Sequence, residues 1–289
     1  YASKIAEMSG SSVVSVSIGK VDENELKLLG RYGASKIISI NDEKLSYLDN
    51  QAYAKVIADV AKKEGATVVV LSHNNTGKAL APRLSVRMKA GVAAYVSSAP
   101  ASMNPFVIAK RSYSGKAFAS VTISTDIKII TLAQNSFDVT EKNVTPAIEA
   151  YTPDLDAALI KTKVSDVQKQ TGKILLSDAE IVVSGGRGMK GAENWKPIEE
   201  LAALLGGATA CTRPVSDEGW RPHDEHTGQT GKIIAPNLYI AAGISGATQH
   251  IAGISGSKYI VAINNDKNAP IFESAQYGIV GDALKVMPA

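Results

Sequence analysis

The chain has 289 residues, 45% of them hydrophobic and 20% charged, with a formal net charge of +3 and no run of like charges. That length predicts about two domains with real cores, and the charge balance excludes nucleic-acid binding as the main task. One cysteine, Cys211, excludes a disulfide framework and fits a reducing compartment; no apolar stretch approaches the ~20 residues needed to span a membrane, and nothing reads as a signal peptide.

The chain opens without Met and inside what reads as a helix, Tyr1-Ala2-Ser3-Lys4-Ile5-Ala6-Glu7-Met8, so upstream residues are expected. Apolar runs follow at 13–18, 36–40, 67–71, 91–96 and 128–132, with helical patterns at 23–32, 51–63 and 77–89. Such alternation predicts an α/β fold, a mostly parallel sheet with helices on its faces. Between Phe106 and Ser124, two alternating runs flank Ser114-Gly115, which predicts an antiparallel hairpin added to the sheet. From 141 to 172 the chain turns polar and carries Pro146 and Pro153. The domain boundary is expected there, with residues 1–170 as one α/β domain and 171–289 as a second. The second is expected to run as a strand at 179–183, a helix at 193–205, a strand at 208–212 and a long loop at 213–232. Loops of that length in a compact domain are usually functional. Strands at 238–242 and 259–263 then enclose a glycine turn and a short helix.

That enclosed stretch, Gly243-Ile244-Ser245-Gly246-Ala247-Thr248-Gln249-His250, is the most informative in the chain. A turn of this kind aims backbone N–H groups and a helix dipole at a phosphate. His250 sits one turn along, which points to a large phosphorylated cofactor whose reactive ring it touches. Gly186-Arg187-Gly188-Met189-Lys190-Gly191 matches G-x-G-x-x-G, after a strand and before a helix. The acid that a standard NAD site wants after the next strand is replaced by Cys211-Thr212-Arg213. The run therefore reads as a phosphate-binding turn, or as a tight turn needing glycine for sterics alone. Arg213 could stack on a flat ring, meet an anion, or pair with Asp217 on the surface. Gly228-Gln229-Thr230-Gly231-Lys232 suggests backbone wrapped around a ligand, or an ordinary glycine turn. His223 and His226, three apart in a loop, make a weak metal pair, and no metal is expected. Asp282 could accept from ribose hydroxyls or serve as a turn aspartate.

In order along the chain, Ser184-Gly185-Gly186-Arg187-Gly188, Thr212-Arg213, Gly228–Lys232, Gly243–His250, Ala262-Ile263-Asn264, Ala269-Pro270-Ile271-Phe272 and Tyr277-Gly278-Ile279-Val280 closely resemble the FAD-binding domain of the electron transfer flavoprotein alpha subunit. The first half is similar to that family's N-terminal α/β domain minus its first strand. The resemblance implies a Rossmann-like FAD-binding domain and a heterodimer with a beta subunit. It implies flavin dehydrogenases, such as the acyl-CoA dehydrogenases of fatty acid oxidation, as electron donors and a quinone oxidoreductase as acceptor. Arg213 would lie against the flavin, with Thr212 reaching toward N5 and His250 near the pyrimidine end. Gln229 and Thr230 would clasp the ribityl and ring region. Ser245, Gly246, Ala247, Thr248 and Gln249 would hold the pyrophosphate and ribityl. Arg187, Asn264 and Asp282 would serve the pyrophosphate and adenosine end, and Thr227, Gly228 and Ala283 complete the implied contacts. One-electron reduction puts negative charge on the flavin N1–C2=O region, so positive or donating groups at Arg213 and His250 would stabilise it. Two departures stand out: Gln276 in place of an acid before Tyr277, and Thr227 in place of Val before Gly228. An NADP-dependent oxidoreductase and a non-redox nucleotide-binding module remain the competing readings. With no transit peptide in view, a bacterial cytoplasm is expected ahead of the mitochondrial matrix.

Overall fold

The computed structural model describes residues 1–115, 117–160, 162–167 and 174–288. By compactness the chain divides into two units, residues 1–112 with 118–167, and residues 113–117 with 168–289.

Unit 1 opens with α1 (Ala2–Ser9), closed by Gly10 in the left-handed conformation that glycine supplies at a helix end. The alternation then runs β1 (Val13–Ile18), α2 (Glu23–Lys27), β2 (Ala34–Ile40), α3 (Asn50–Lys63), β3 (Val68–Ser72), α4 (Asn75–Met88) and β4 (Gly91–Val96). Next come β5 (Ser102–Met103), β6 (Phe106–Ser112), β7 (Ala117–Ile123), β8 (Lys128–Leu132) and β9 (Ala147–Ala150). The expected hairpin is present: β7 pairs with β6 across the turn at Tyr113–Gly115. The strands form two sheets rather than one. One is β1-β2-β9, wholly parallel; the other runs β3-β8-β4 in parallel, with β6 and β5 added antiparallel. Strands β1 and β3 line a common groove of about 490 Å³, to which α1 contributes Ala2, Ile5 and Ala6.

Two sequence expectations change here. The helical pattern at 23–32 splits, because α2 ends at Lys27 and residues 28–32 tighten into a 3-10 turn stopped by Gly33 at φ 95°. The polar stretch 141–172, read from the sequence without a strand and as the place of the domain boundary, contains β9, and its Leu155 is buried beside Ile38, Leu45 and Val56. Four residues are too few to show a period against polar neighbours. Residues 161 and 168–172 of that stretch lie outside the described residues.

Unit 2 is an all-parallel sheet in the order β11-β10-β12-β13-β14. Its elements are β10 (Ile181–Gly185), α5 (Lys196–Leu204), β11 (Ala208–Cys211), α6 (Arg213–Asp217), β12 (Leu238–Ala242), α7 (Thr248–Ile254), β13 (Tyr259–Asn264), α8 (Ile271–Ser274), β14 (Tyr277–Val280) and α9 (Ala283–Val286). Neighbouring strand residues serve opposite cores, as a period of two requires. Val182, Tyr239 and Ala241 pack with Ile254 and Ile271 on one face; Val183, Ile240 and Ala242 pack with Ile198, Trp195 and Val215 on the other. The expected loop at 213–232 is partly ordered structure: α6 starts with a proline in its first turn, and a 3-10 turn spans His223–Glu225.

In unit 1, Asp49 holds two segments at once. It caps α3, accepting from Gln51 N at 2.9 Å and Ala52 N at 3.0 Å, and takes the Thr162 hydroxyl at 2.6 Å. These bonds hold its carboxyl below the usual range, the Thr162 bond most of all. Asp49→Ala is expected to cost ~2 kcal/mol of unit 1 stability, read as a lower urea midpoint, with Asp49→Asn losing less.

Candidate functional site

From β10 the chain goes to β11, then returns past β10 to β12. The connections therefore part above the C-terminal ends of β10 and β12, the place where open α/β sheets bind ligands. Two glycine turns meet there. Gly186 N donates to Ala242 O at 2.9 Å, and Gly188 N to Gly243 O at 3.0 Å. A Cβ on Gly186 would fall 2.3 Å from Gly243 O, and one on Gly188 2.6 Å from Gly243 Cα. Glycine is required because two backbones touch. The G-x-G-x-x-G run does not open a helix directly: 3-10 turns at Arg187–Met189 and Ala192–Asn194 intervene, and α5 starts at Lys196.

The second turn carries the chain from β12 into α7. Gly243 and Gly246 adopt positive φ, 63° and 86°. Ile271 N donates to Ser245 O at 3.0 Å, which ties the turn to α8. The residue before α7 is Ala247, whose side chain caps nothing. The first N–H groups of a helix have no partner inside it, so this start presents donors outward. Ser245, Ala247, Thr248 and Gln249 are exposed around it, and Gly246 is buried.

His250 follows, 6% exposed. Its Nδ1 lies 3.0 Å from Thr227 O, which can only accept, so Nδ1 carries the proton and donates. Tyr239 Oη, 2.9 Å from Nε2, then donates to the bare nitrogen. Burial pulls the His250 pKa down to about 4. Of the two roles open to His250, positive or donating, burial removes the positive one near neutral pH: the ring is neutral and both its nitrogens are engaged within the chain. Arg213, 62% exposed, pairs at 3.3 Å with Asp217 at the start of α6.

Between them lies the turn Gly228–Lys232. Thr227 N donates to Cys211 O at 3.0 Å and Gln229 N to Gln249 O at 2.8 Å, which fixes the turn against β11 and α7. Gly253 on α7 permits this approach, since a Cβ there would fall 2.5 Å from Gly228 Cα. The side chains of Gln229 and Thr230 are exposed. Thr212 is buried at the end of β11, and the Thr227 hydroxyl is buried without a partner among the described residues. Arg221 anchors the preceding loop: it makes paired bonds to Glu225 (2.8 and 2.7 Å), one to Glu199 on α5 (2.6 Å), and lies 5.7 Å from the Trp195 ring.

Farther along the edge, Asn264 spends its side chain on backbone, donating to Ile244 O at 2.8 Å and accepting from Asp266 N at 2.9 Å. Asp282 caps α9 through Leu284 N at 3.1 Å and meets Lys190 at 3.1 Å. Ala283 is buried in the core behind it. Arg187 is exposed beside the crossing glycines. Gln276 accepts from Ile260 N at 2.7 Å, a strand clip that an acid could also make. His73 is in unit 1 with Thr131, 2.7 Å away. The sequence-predicted set thus gathers at one sheet edge. Sequence reading missed Tyr239 and Gly253. A tyrosine within an apolar strand and a glycine inside a helical pattern were the available signals.

Residues 1–158 match the electron transfer flavoprotein domain family, and residues 175–255 match the electron transfer flavoprotein FAD-binding domain family. The chain is 38% identical over 278 residues to electron transfer flavoprotein subunit alpha of Bacillus subtilis, covering 96% of this chain and 85% of that protein. It is 35% identical over 318 residues to acryloyl-CoA reductase electron transfer subunit beta of Anaerotignum propionicum, covering 99% and 87%. It is 38% identical over 240 residues to protein FixB of an Escherichia coli strain, covering 82% and 77%. No helix among the described residues is long and apolar enough to cross a membrane.

Gly253→Ala is expected to push α7 off the Gly228 turn at ~1–3 kcal/mol, read by urea unfolding. Burial, with Glu225 nearby, pushes the Cys211 thiol up to about 12. The thiolate is therefore scarce at pH 8, and Cys211 should resist a disulfide reagent in the folded protein but react fully once it is unfolded.

Proposed function

The chain belongs to the electron transfer flavoprotein alpha-subunit family, and from that premise we propose where and how it holds its flavin. Its function is electron carriage, with FAD as the cofactor. When bound, FAD supplies the redox chemistry; the chain supplies its binding, orientation and electrostatics.

The residues present fit FAD. The crossing glycines clear side chains from the switch point, the start of α7 has no side-chain cap, and the buried Thr227 hydroxyl has no partner. The observation that carries the reading is the uncapped α7 turn beside the exposed Gln229, Thr230 and Gln249 side chains. In our reading, the backbone from Ser245 through Gln249 takes the pyrophosphate, with Arg187 adding positive charge. Gln229 and Thr230 clasp the ribityl region, and Thr212 reaches toward the flavin from the end of β11. Arg213 brings formal positive charge to the ring. His250 acts as a neutral group, its ring set by Tyr239 and by the Thr227 carbonyl. Asn264 holds the Gly243 turn in shape, and Asp282 and Ala283 border the adenosine end.

We also propose a heterodimer with a beta subunit, with flavin dehydrogenases such as acyl-CoA dehydrogenases as donors and a quinone oxidoreductase as acceptor. A relative named as an electron transfer subunit of acryloyl-CoA reductase supports an acyl-CoA-class partner. The bacterial relatives support a bacterial cytoplasm.

The test is co-expression with the beta subunit and an absorption spectrum during stepwise dithionite reduction. Flavin bands that bleach reversibly are expected; a colourless heterodimer that takes up no added FAD would overturn the reading. Arg213→Ala should lower the one-electron potential of the bound flavin by on the order of 60 mV, one tenfold step in equilibrium.

A further inference from the structure

The imidazole of His226 lies inside the Gly228–Gly231 turn. A Cβ on Gly231 would fall 2.8 Å from its Nδ1 and 2.5 Å from its carbonyl oxygen, and one on Gly228 would fall 3.4 Å from its Nε2. The residue is 3% exposed, and its Nδ1 is buried without a hydrogen-bond partner. Its carbonyl accepts from Lys232 N at 2.9 Å, closing the same turn from the backbone side. The loop that delivers it is pinned to α5 by Arg221 and Glu225.

We propose that His226 is a positioning residue: its ring, wedged between the two glycines, sets the turn that carries Gln229 and Thr230 to the bound FAD. This rests on the FAD site proposed above. The wedge works as a neutral ring, because a proton on Nδ1 would be a buried donor with no acceptor. Burial, His223 and Arg213 together outweigh Asp217 and leave that proton disfavoured. Its own loop brings His223, whose ring is 5.5 Å away, as well as Asp224 and the Arg221-bound Glu225. From α6 come Arg213, which disfavours the charge, and Asp217, which partly offsets it. Neutral Cys211 pairs with it from β11, neutral His250 faces it from α7, and Lys232 closes the turn. Burial and His223 hold the His226 pKa below its ordinary 6.5. The closed turn is thus fully favoured above pH 6.5 and is weakened as pH falls below it, where an open turn would take the proton.

The experiment measures FAD dissociation from the heterodimer with its beta subunit between pH 7.5 and 5.5, for wild type, His226→Ala and His226→Gln. The wild-type Kd should rise as pH falls below 6.5, by no more than about tenfold at pH 5.5, the limit for one proton across one unit. His226→Ala should raise Kd about tenfold at pH 7.5, by emptying the wedge. His226→Gln, which fills the space but does not titrate, should stay within about threefold of wild type at pH 7.5 and show a flat profile. Wild-type affinity in His226→Ala, or a wild-type pH slope in His226→Gln, would overturn the positioning role while leaving the FAD site intact. Failure of the wild type itself to bind FAD would sink the site and this role with it.

Discussion

The close crossing of two backbones above β10 and β12 is the constraint on which the site depends. Gly186 and Gly188 meet Gly243 at distances that exclude any Cβ. Because those turns touch, the chain leaving β12 is held in one path, and α7 starts at a fixed point above the sheet. A ligand seated there finds backbone donors rather than side chains, so its affinity depends on main-chain geometry more than on any one residue. The same contact explains why G-x-G-x-x-G appears here without the helix that usually follows it. Its glycines serve chain packing first.

Around that fixed point the site divides by burial. The exposed groups, Arg187, Arg213, Gln229, Thr230, Ser245, Thr248 and Gln249, can meet a ligand directly. The buried ones, Thr227, His250 and Asn264, hold the frame. His250 shows the principle: Tyr239 and Thr227 use both ring nitrogens and burial removes the charge, so the ring is fixed in place and in tautomer. Arg213 stands at the exposed rim and pairs with Asp217, itself 54% exposed. An exposed pair of this kind is worth little in water, so Arg213 can leave Asp217 for a stronger partner at small cost.

The loop from α6 to β12 gains its order from three separate ties. Arg221 binds Glu225 and Glu199, His226 fills the glycine turn, and Gly253 lets α7 close on Gly228. Each tie joins residues far apart in sequence or uses a residue whose type alone says nothing of its partner. A loop held this way can present Gln229 and Thr230 with the fixed geometry that binding needs while remaining outside the regular sheet.

The sequence by itself determined the alternation of strands and helices, the hairpin at Ser114-Gly115 and the glycine turns, because each of these is written in local periodicity or in backbone freedom. It also marked the residues that gather at the sheet edge, since strand ends and glycine turns are local signals. Tertiary structure alone decided that unit 1 has two sheets, that β9 forms from a polar stretch, and that the 213–232 loop contains a helix. Strand pairing and burial of Leu155 are long-range choices that no local pattern encodes. The same holds for His250. Its identity was legible, but its neutrality was not, because that follows from Tyr239, Thr227 and the burial around them, which only the folded chain brings together.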